Sequence, residues 1–291
     1  MRLFLLPIST RRTLIYCQRK NATVPEQITY LDKATHRAGA LWTRWEQKES
    51  GWQKKVVEFG NKALKRIPYE EWGLKSIPPL SAKQKAEYQS ANTKVDVSFP
   101  SALIPESKVL DVLKALGTER EEFHKKRIIY CFIGMPIVAP FALVPVIPNL
   151  PFFYLVYRAW SHWRAFSGSK HIQFLLNRKM IVARPSSILD TLYSARTLTA
   201  VQKGNLIQSE SNSGPKDPRA TQTSDPKETL VLDRSHATLI AKALKVPELD
   251  MELDRAIWQV QTSLKADEML KEEKGGLHKA AEDQKREQGK G

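Results

Sequence analysis

The side chains best suited to chemistry flank one apolar stretch of the sequence, and they are His124, Lys125, Lys126, Arg127, Arg158 and His162. Because Arg158 and His162 are four residues apart, a helix would place them on one face. An imidazole titrates near neutral pH, and a guanidinium binds phosphate oxygens. We therefore interpret these six residues as candidate contacts for protons or for lipid phosphate at a membrane–water boundary.

The sequence contains no pattern that is typical of an enzyme or a metal centre. Ser167–Lys170 reads SGSK, which lacks the spacing of a phosphate-binding loop and predicts an ordinary turn. Cys17 and Cys131 form no CxxC pair, and His124 and His171 have no paired ligand spacing. We therefore expect no enzyme activity, no catalytic residues, no cofactor and no metal.

The apolar stretch covers residues 128–157 and contains no charged side chain over its thirty residues. Since about 20 apolar residues span a bilayer as a helix, this pattern predicts a membrane segment. Prolines would kink it, and they are Pro136, Pro140, Pro145, Pro148 and Pro151. Two arrangements follow: a kinked single span near 128–148 with an interfacial aromatic helix, or a re-entrant hairpin that turns near Val146–Leu150.

The remaining sequence predicts helices on both sides of this segment. Region 21–127, on one side or the other of the membrane, contains an amphipathic helix over 33–67, an irregular part over 76–105 and a helix over 106–116. A capping box at Thr118 and Glu121 begins another helix, which continues into the apolar stretch. The later segments are aromatic and basic juxtamembrane helices over 158–200 with a turn at SGS, a polar linker over 201–228, a helical pair over 229–270 and a disordered charged tail over 271–291.

Residues 1–20 contain five basic residues and no acidic one. That composition is typical of a mitochondrial presequence. The same segment holds two apolar runs around a polar STRR turn, which predicts a short retained β-hairpin instead. The expected fold class is thus an all-α membrane protein with one kinked span or re-entrant hairpin, flanking amphipathic helices and, in the second alternative, an N-terminal hairpin.

The net charge of +15 is unevenly distributed along the chain. It amounts to +10 over residues 1–127, +6 over 128–200 and −1 over 201–291. Such a field attracts anionic partners, and acidic lipid of the inner membrane fits the apolar stretch. The sequence carries no nucleic-acid-binding signature, so nucleic acid is disfavoured as a partner.

A family resemblance rests on the longest of these patterns. The stretch MPIVAPFALVPVIPNLPFFYLVYRAWSHWRAFSGSKHIQFLL, the opening FLLPISTRRTLIYCQR and the late PELDMELDRAIWQV resemble fungal members of the mitochondrial K+–H+ exchange-related family. The resemblance implies an integral inner-membrane protein that takes part in exchanging potassium ions for protons and so controls matrix volume. This role is similar to that of the LETM-type proteins. The family brings no agreed catalytic residues to this sequence.

Two hypotheses on function follow. Exchange of potassium for protons usually needs an ionisable group within the membrane, and residues 128–157 contain none. The first hypothesis is therefore a component or factor of the exchanger, with protein partners or as a homo-oligomer. The second is a membrane-anchored scaffold that binds partner proteins, cardiolipin or mitochondrial ribosomes.

Overall fold

The computed structural model describes residues 1–18, 30–90, 93–140, 149–194 and 228–288. Its strands are β1 (Arg2–Pro7), β2 (Thr13–Gln18), β3 (Val95–Phe99) and β4 (Ile181–Pro185). The helices that precede β4 are α1 (Tyr30–Glu46), α2 (Trp52–Lys65), α3 (Tyr69–Ser76), α4 (Ala82–Ser90), α5 (Glu106–Thr118), α6 (Glu121–Val138) and α7 (Leu150–Asn177). After β4 come α8 (residues 187–194), α9 (Arg234–Ala243) and α10 (Glu248–Gln288).

The four strands form one mixed sheet in the order β2–β1–β3–β4. β3 runs parallel to both of its neighbours, with Val97 opposite Leu3 of β1 and Ala183 of β4. Parallel pairing needs long crossover connections, and α5, α6 and α7 provide the one between β3 and β4. The sequence therefore brings together strands that lie far apart along the chain.

The prediction of an all-α membrane protein is wrong. The chain contains a sheet, so it is not all-α. In addition, no helix in the described part of the chain is both long enough and apolar enough to cross a membrane. The uncharged stretch 128–157 is divided between two helices. α6 begins at Glu121 and carries five charged residues before the stretch, and α7 continues for twenty polar and apolar residues beyond it. Residues 141–148 lie outside the described residues, and so does most of the expected turn at Val146–Leu150.

Three local predictions are also corrected. The helix expected over 33–67 is two helices, because Gly51 adopts a left-handed φ of 103° directly before α2. The irregular region 76–105 contains α4 and β3, and the tail expected to be disordered from 271 is helical to Gln288. The linker expected over 201–228 lies outside the described residues, apart from Glu228.

The prediction of a turn at SGS is wrong. Gly168 lies inside a helix, where the absence of a side chain allows close packing against a neighbouring helix. α7 is continuous from Leu150 to Asn177 through this position. A Cβ placed on Gly168 would lie 2.1 Å from the carbonyl oxygen of Leu74 in α3. The glycine therefore lets α7 approach the backbone of α3, and this approach brings the buried polar side chains of the two helices together.

The chain divides into two compact units. The first consists of Met1–Leu5, Ile15–Phe99 and Ile104–Pro185, and the second of Leu6–Leu14, Pro100–Leu103 and Ser186–Gly291. The first unit buries Val97, Leu113 and Ile172 in a core between the sheet and helices α3, α5 and α7.

The second unit assembles segments that are distant in the sequence. The Tyr193 hydroxyl of α8 donates a 3.0 Å hydrogen bond to the carbonyl of Pro7. Ser9 forms an isolated antiparallel bridge with Leu230. Asp233 caps α9 by accepting from the His236 amide at 3.0 Å. These contacts make residues 6–14 part of the helical C-terminal unit.

Candidate functional site

A cluster of buried polar side chains lies where α3, α6 and α7 meet inside the first unit. Glu71 lies in the first turn of α3, which begins after Pro68. His124 comes from α6, and Ser161, His162 and Arg158 come from α7. The side chains of Glu71, His124, Ser161 and His162 are almost completely buried, so every polar atom among them needs a partner.

The Glu71 carboxylate is held by a two-point ion pair. Arg158 Nη1 donates to Glu71 Oε1 at 2.8 Å, and Nη2 donates to Oε2 at 3.2 Å. The Ser161 hydroxyl also donates to Oε1. Burial alone would raise the pKa of Glu71, but the Arg158 charge, the Ser161 hydrogen bond and the nearby His162 outweigh it and lower the pKa. Glu71 is therefore a carboxylate at neutral pH.

The bonds of Arg158 fix the tautomers of both histidines. A guanidinium can only donate, so His162 Nε2, 2.9 Å from Arg158 Nη2, must accept. Neutral His162 then carries its proton on Nδ1, which lies 3.0 Å from His124 Nδ1 and donates to it. His124 consequently carries its own proton on Nε2. That buried nitrogen has no hydrogen-bond partner among the described residues.

Both imidazoles are neutral at pH 7. Burial lowers the pKa of His162 to about 4, because Arg158 and Arg127 add to burial and outweigh the attraction of Glu71. Burial also lowers the pKa of His124, with Arg120 and Arg158 acting in the same direction and Glu71 against it. The ring of Phe123 stands edge-on to both imidazoles, with centroid distances of 5.6 Å and 5.9 Å. Both imidazoles are thus neutral, buried groups whose protonation is disfavoured.

The cluster also has the residue types of a metal site. One ligand atom from each of Glu71, His124 and His162 lies within 4.8 Å of the others, which is a spacing that a zinc ion could bridge. However, a metal-binding imidazole donates its remaining N–H to an acceptor. Here the second nitrogen of His162 faces the donor Arg158, and that of His124 faces no acceptor among the described residues. The hydrogen bonding fits a neutral imidazole pair better than a metal centre.

The structure separates the six sequence-predicted side chains into two groups. His124, Arg158 and His162 come together in the buried cluster. Lys125 instead pairs with Glu121 and Glu122 at 3.4 Å on the surface. Lys126 is exposed, and Arg127 lies over the ring of Phe123 at 5.1 Å from its centroid.

The five prolines predicted as kinks take different positions. Pro136 lies inside α6, which remains a helix through it. Pro151 occupies the first turn of α7 and begins that helix. Pro140 follows the end of α6, whereas Pro145 and Pro148 lie outside the described residues. Asn149 joins the two helix ends, because its side chain donates to the Val138 carbonyl at 2.7 Å and accepts from the Phe152 amide at 3.1 Å.

Glu71 and Ser161 were missed by the sequence reasoning. Glu71 is one of two adjacent glutamates at a helix start, a position that usually faces solvent. Ser161 belongs to the same SHW triplet as His162 and carries no signal of its own. Because a buried arginine needs a carboxylate, an acidic partner could have been expected for Arg158. The sequence does not indicate which of its many acidic residues is that partner.

Comparison with known proteins supplies a family and two fungal relatives. The model of the mitochondrial K+–H+ exchange-related family matches residues 2–176, and this range includes the whole cluster. An uncharacterized protein of Schizosaccharomyces pombe is 30% identical over 190 residues, which cover 65% of this chain and 81% of that protein. An uncharacterized protein of Saccharomyces cerevisiae is 27% identical over 284 residues, which cover 89% of this chain and 84% of that protein. No solved structure shows a significant match.

Proposed function

Because the chain belongs to the mitochondrial K+–H+ exchange-related family, we propose that it acts at the inner membrane as a component of a potassium/proton exchange system. The observation that supports this role best is the position of the family match. Residues 2–176 contain the sheet up to β3, the buried cluster and all of α7 except its last residue. The proposal therefore concerns the first unit, and the buried cluster is its central element.

The chemistry of the cluster favours an accessory role over transport by this chain alone. Exchange of potassium for protons usually uses ionisable groups within the membrane. In this chain Glu71, Arg158 and the two histidines are tied to one another inside a folded unit. They hold α3, α6 and α7 in a fixed arrangement and leave the outer parts of α6 and α7 with apolar side chains on their surface. A regulator or assembly factor of the exchanger fits this arrangement.

Swelling of isolated mitochondria in potassium acetate tests the proposal, since net uptake of the salt requires exchange of potassium for protons. We expect slow swelling in a yeast strain that lacks the Saccharomyces cerevisiae relative, and normal swelling when this chain is expressed there. Glu71→Gln should fail to restore swelling, because it leaves the buried Arg158 guanidinium without its counter-ion.

Asp96→Asn is the matched control for Glu71→Gln. It also removes a carboxylate from an arginine, at 2.7 Å from Arg184, but Arg184 is 64% exposed, so solvent screens this pair and it contributes little. An immunoblot must show that all variants accumulate equally. Swelling that is identical in the deletion strain and the complemented strain would contradict a role in exchange and favour a membrane-associated scaffold.

A further inference from the structure

Eight of the large apolar side chains exposed in the described part of the first unit lie on the paired outer parts of α6 and α7. On α6 the exposed side chains are Ile129, Tyr130, Phe132, Ile133 and Ile137, each 56–69% exposed. On α7 they are Phe153, Tyr154 and Val156. We refer to residues 128–138 and 150–157 together as the apolar arm.

We propose that the apolar arm inserts into one leaflet of an anionic lipid bilayer and anchors the first unit to it. The anchor enters from one side and does not cross. This inference rests on the proposed function in naming the inner membrane as the site of action. It adds the lipid partner and the side chains that contact it.

The width of the exposed surface favours lipid over a protein partner. At 100° per residue, the exposed apolar positions of α6 from Phe132 round to Tyr130 cover an arc of about 160°. An amphipathic helix that packs on a folded surface needs a stripe of at least about 100°. Fluid acyl chains can surround a helix pair on several sides, whereas one protein surface covers one side. The arc therefore fits a lipid environment.

The length of the arm fits one leaflet. From Ile128 to Val138, α6 extends about 16 Å at 1.5 Å per residue. Half of the roughly 30 Å hydrocarbon core of a bilayer is about 15 Å. α7 runs back beside α6, since Gly134 packs against Leu155 and His124 contacts His162. The two contacts show that the arm is an antiparallel pair of helices with the buried cluster at its base.

The side chains at the base match a lipid headgroup region. Lys126 and Arg127 are exposed on the turn of α6 before the arm, and Trp163 is exposed on α7 next to the cluster. Tryptophan favours the membrane–water interface, and cations near the surface are attracted to anionic headgroups. The arm thus has an apolar outer part, an aromatic residue at its base and positive charge at the same level.

Binding to vesicles of defined composition tests the anchor with the full-length protein. The probes are phosphatidylcholine vesicles and the same vesicles with about 20 mol % cardiolipin, which gives them a negative surface potential. We expect co-sedimentation with the cardiolipin vesicles and weaker binding to the neutral ones. Ile133→Glu should reduce binding on the order of a hundredfold, because a charge inside the hydrocarbon is costly. Leu110→Glu on α5, where the native leucine is comparably exposed, should bind as the native protein does.

Further variants test whether the charged residues at the base bind anionic lipid and how deeply the arm inserts. Lys126→Gln with Arg127→Gln should reduce the preference for cardiolipin and its dependence on salt, whereas Lys108→Gln with Lys114→Gln should not. An environment-sensitive fluorophore on Ile137→Cys should shift to the blue on binding, and one on Leu110→Cys should not. Both native cysteines are buried, so the new thiol is the accessible one.

Three results would overturn the anchor: no binding to either vesicle, unchanged binding by Ile133→Glu, or equal shifts at residues 110 and 137. A label at residue 137 that crosslinks to a protein in mitochondria without vesicle binding would assign the arm to a protein interface instead. Vesicle binding involves no ion flux. A protein that binds vesicles but fails to restore potassium swelling would therefore contradict the proposed function and leave the anchor intact.

Discussion

At the scale of single residues, Arg158 determines the chemistry of the cluster. It supplies the counter-ion of Glu71 and, through its contact with His162 Nε2, sets the proton positions on two imidazoles. An isolated buried ion pair adds little net stability, because desolvation offsets its Coulomb attraction. Its geometric effect is larger, because one side chain of α7 aligns groups from α3 and α6.

The depressed pKa values of the histidines predict a stability that depends on pH. Unfolded imidazoles titrate near pH 6.5, whereas burial keeps folded His162 and His124 neutral below that pH. Acidification therefore adds protons to the unfolded chain first. The free energy of unfolding should be highest above about pH 6.5 and should fall as the pH is lowered, by up to about 1.4 kcal/mol per pH unit for each imidazole. For His162 this fall should continue to about pH 4, its pKa in the folded chain.

Urea unfolding of the native protein and of His162→Gln, measured between about pH 6.5 and pH 5, checks this expectation. In that window the carboxylates change little. The free energy of unfolding of the variant should depend on pH less steeply than that of the native protein, by about 1 kcal/mol per pH unit. The reason is that the variant lacks the imidazole that binds a proton when the native chain unfolds. Parallel curves for the two proteins would show that His162 titrates in the folded state as it does in the unfolded one.

At the scale of elements, sequence periodicity predicted helices better than it predicted strands. The helix expected over 106–116 is α5. The capping box expected at Thr118 and Glu121 is wrong, because Thr118 ends α5 and donates to the Lys114 carbonyl, and α6 begins after Arg120 without a side-chain cap. The strands β3 and β4 have five residues each and lie about eighty residues apart, so no hairpin pattern marks them. The spacing of Arg158 and His162 predicted their common face, but their carboxylate partner comes from a third helix that only the tertiary fold selects.

The uncharged stretch shows why composition misled the fold prediction. Thirty residues without charge indicate a span only if they form one helix, and here α6 ends at Val138 while α7 starts at Leu150. Asn149 is the residue that marks the second start, through its cap on Phe152. Its signal in the sequence is weak, because asparagine followed closely by proline is also common in turns.

Gly168→Ala tests the close contact of α7 with α3. A methyl group at this position would meet the Leu74 carbonyl at 2.1 Å, so the helices must separate. We expect a loss of about 2 kcal/mol or more in the free energy of unfolding, in the range of overpacked cores. The separation should also weaken the Glu71–Arg158 pair.

Gly39→Ala is the control for this substitution. Gly39 is also within a helix, but an added Cβ there has no heavy atom within 4 Å, and alanine should stabilise α1 by about 0.5–1 kcal/mol. Chemical denaturation of both variants gives the comparison. Equal changes in the free energy of unfolding at the two positions would mean that helix packing does not require glycine at position 168.

At the scale of the whole molecule, the N-terminal strands belong to the folded chain. The side chains of Leu3, Phe4, Leu5 and Leu6 are completely buried. Met1–Leu5 belong to the first unit and Leu6–Leu14 to the second, so one short segment contributes to each. The basic composition that is typical of a presequence therefore coincides with two of the four strands of the sheet.

The importance of this segment for folding can be measured with two changes. Leu5→Ala should lower the free energy of unfolding by about 3 kcal/mol, because it leaves a cavity in the core, whereas Leu110→Ala on the surface of α5 should change it by less than about 1 kcal/mol. Deleting residues 1–12 should abolish cooperative unfolding in the first unit, where β1 lies between β2 and β3, and should remove the Pro7 acceptor of Tyr193 in the second. A shortened chain that unfolds with the native midpoint and slope would show that the sheet is stable without β1. The buried positions of its leucines would then have to be filled by another part of the chain.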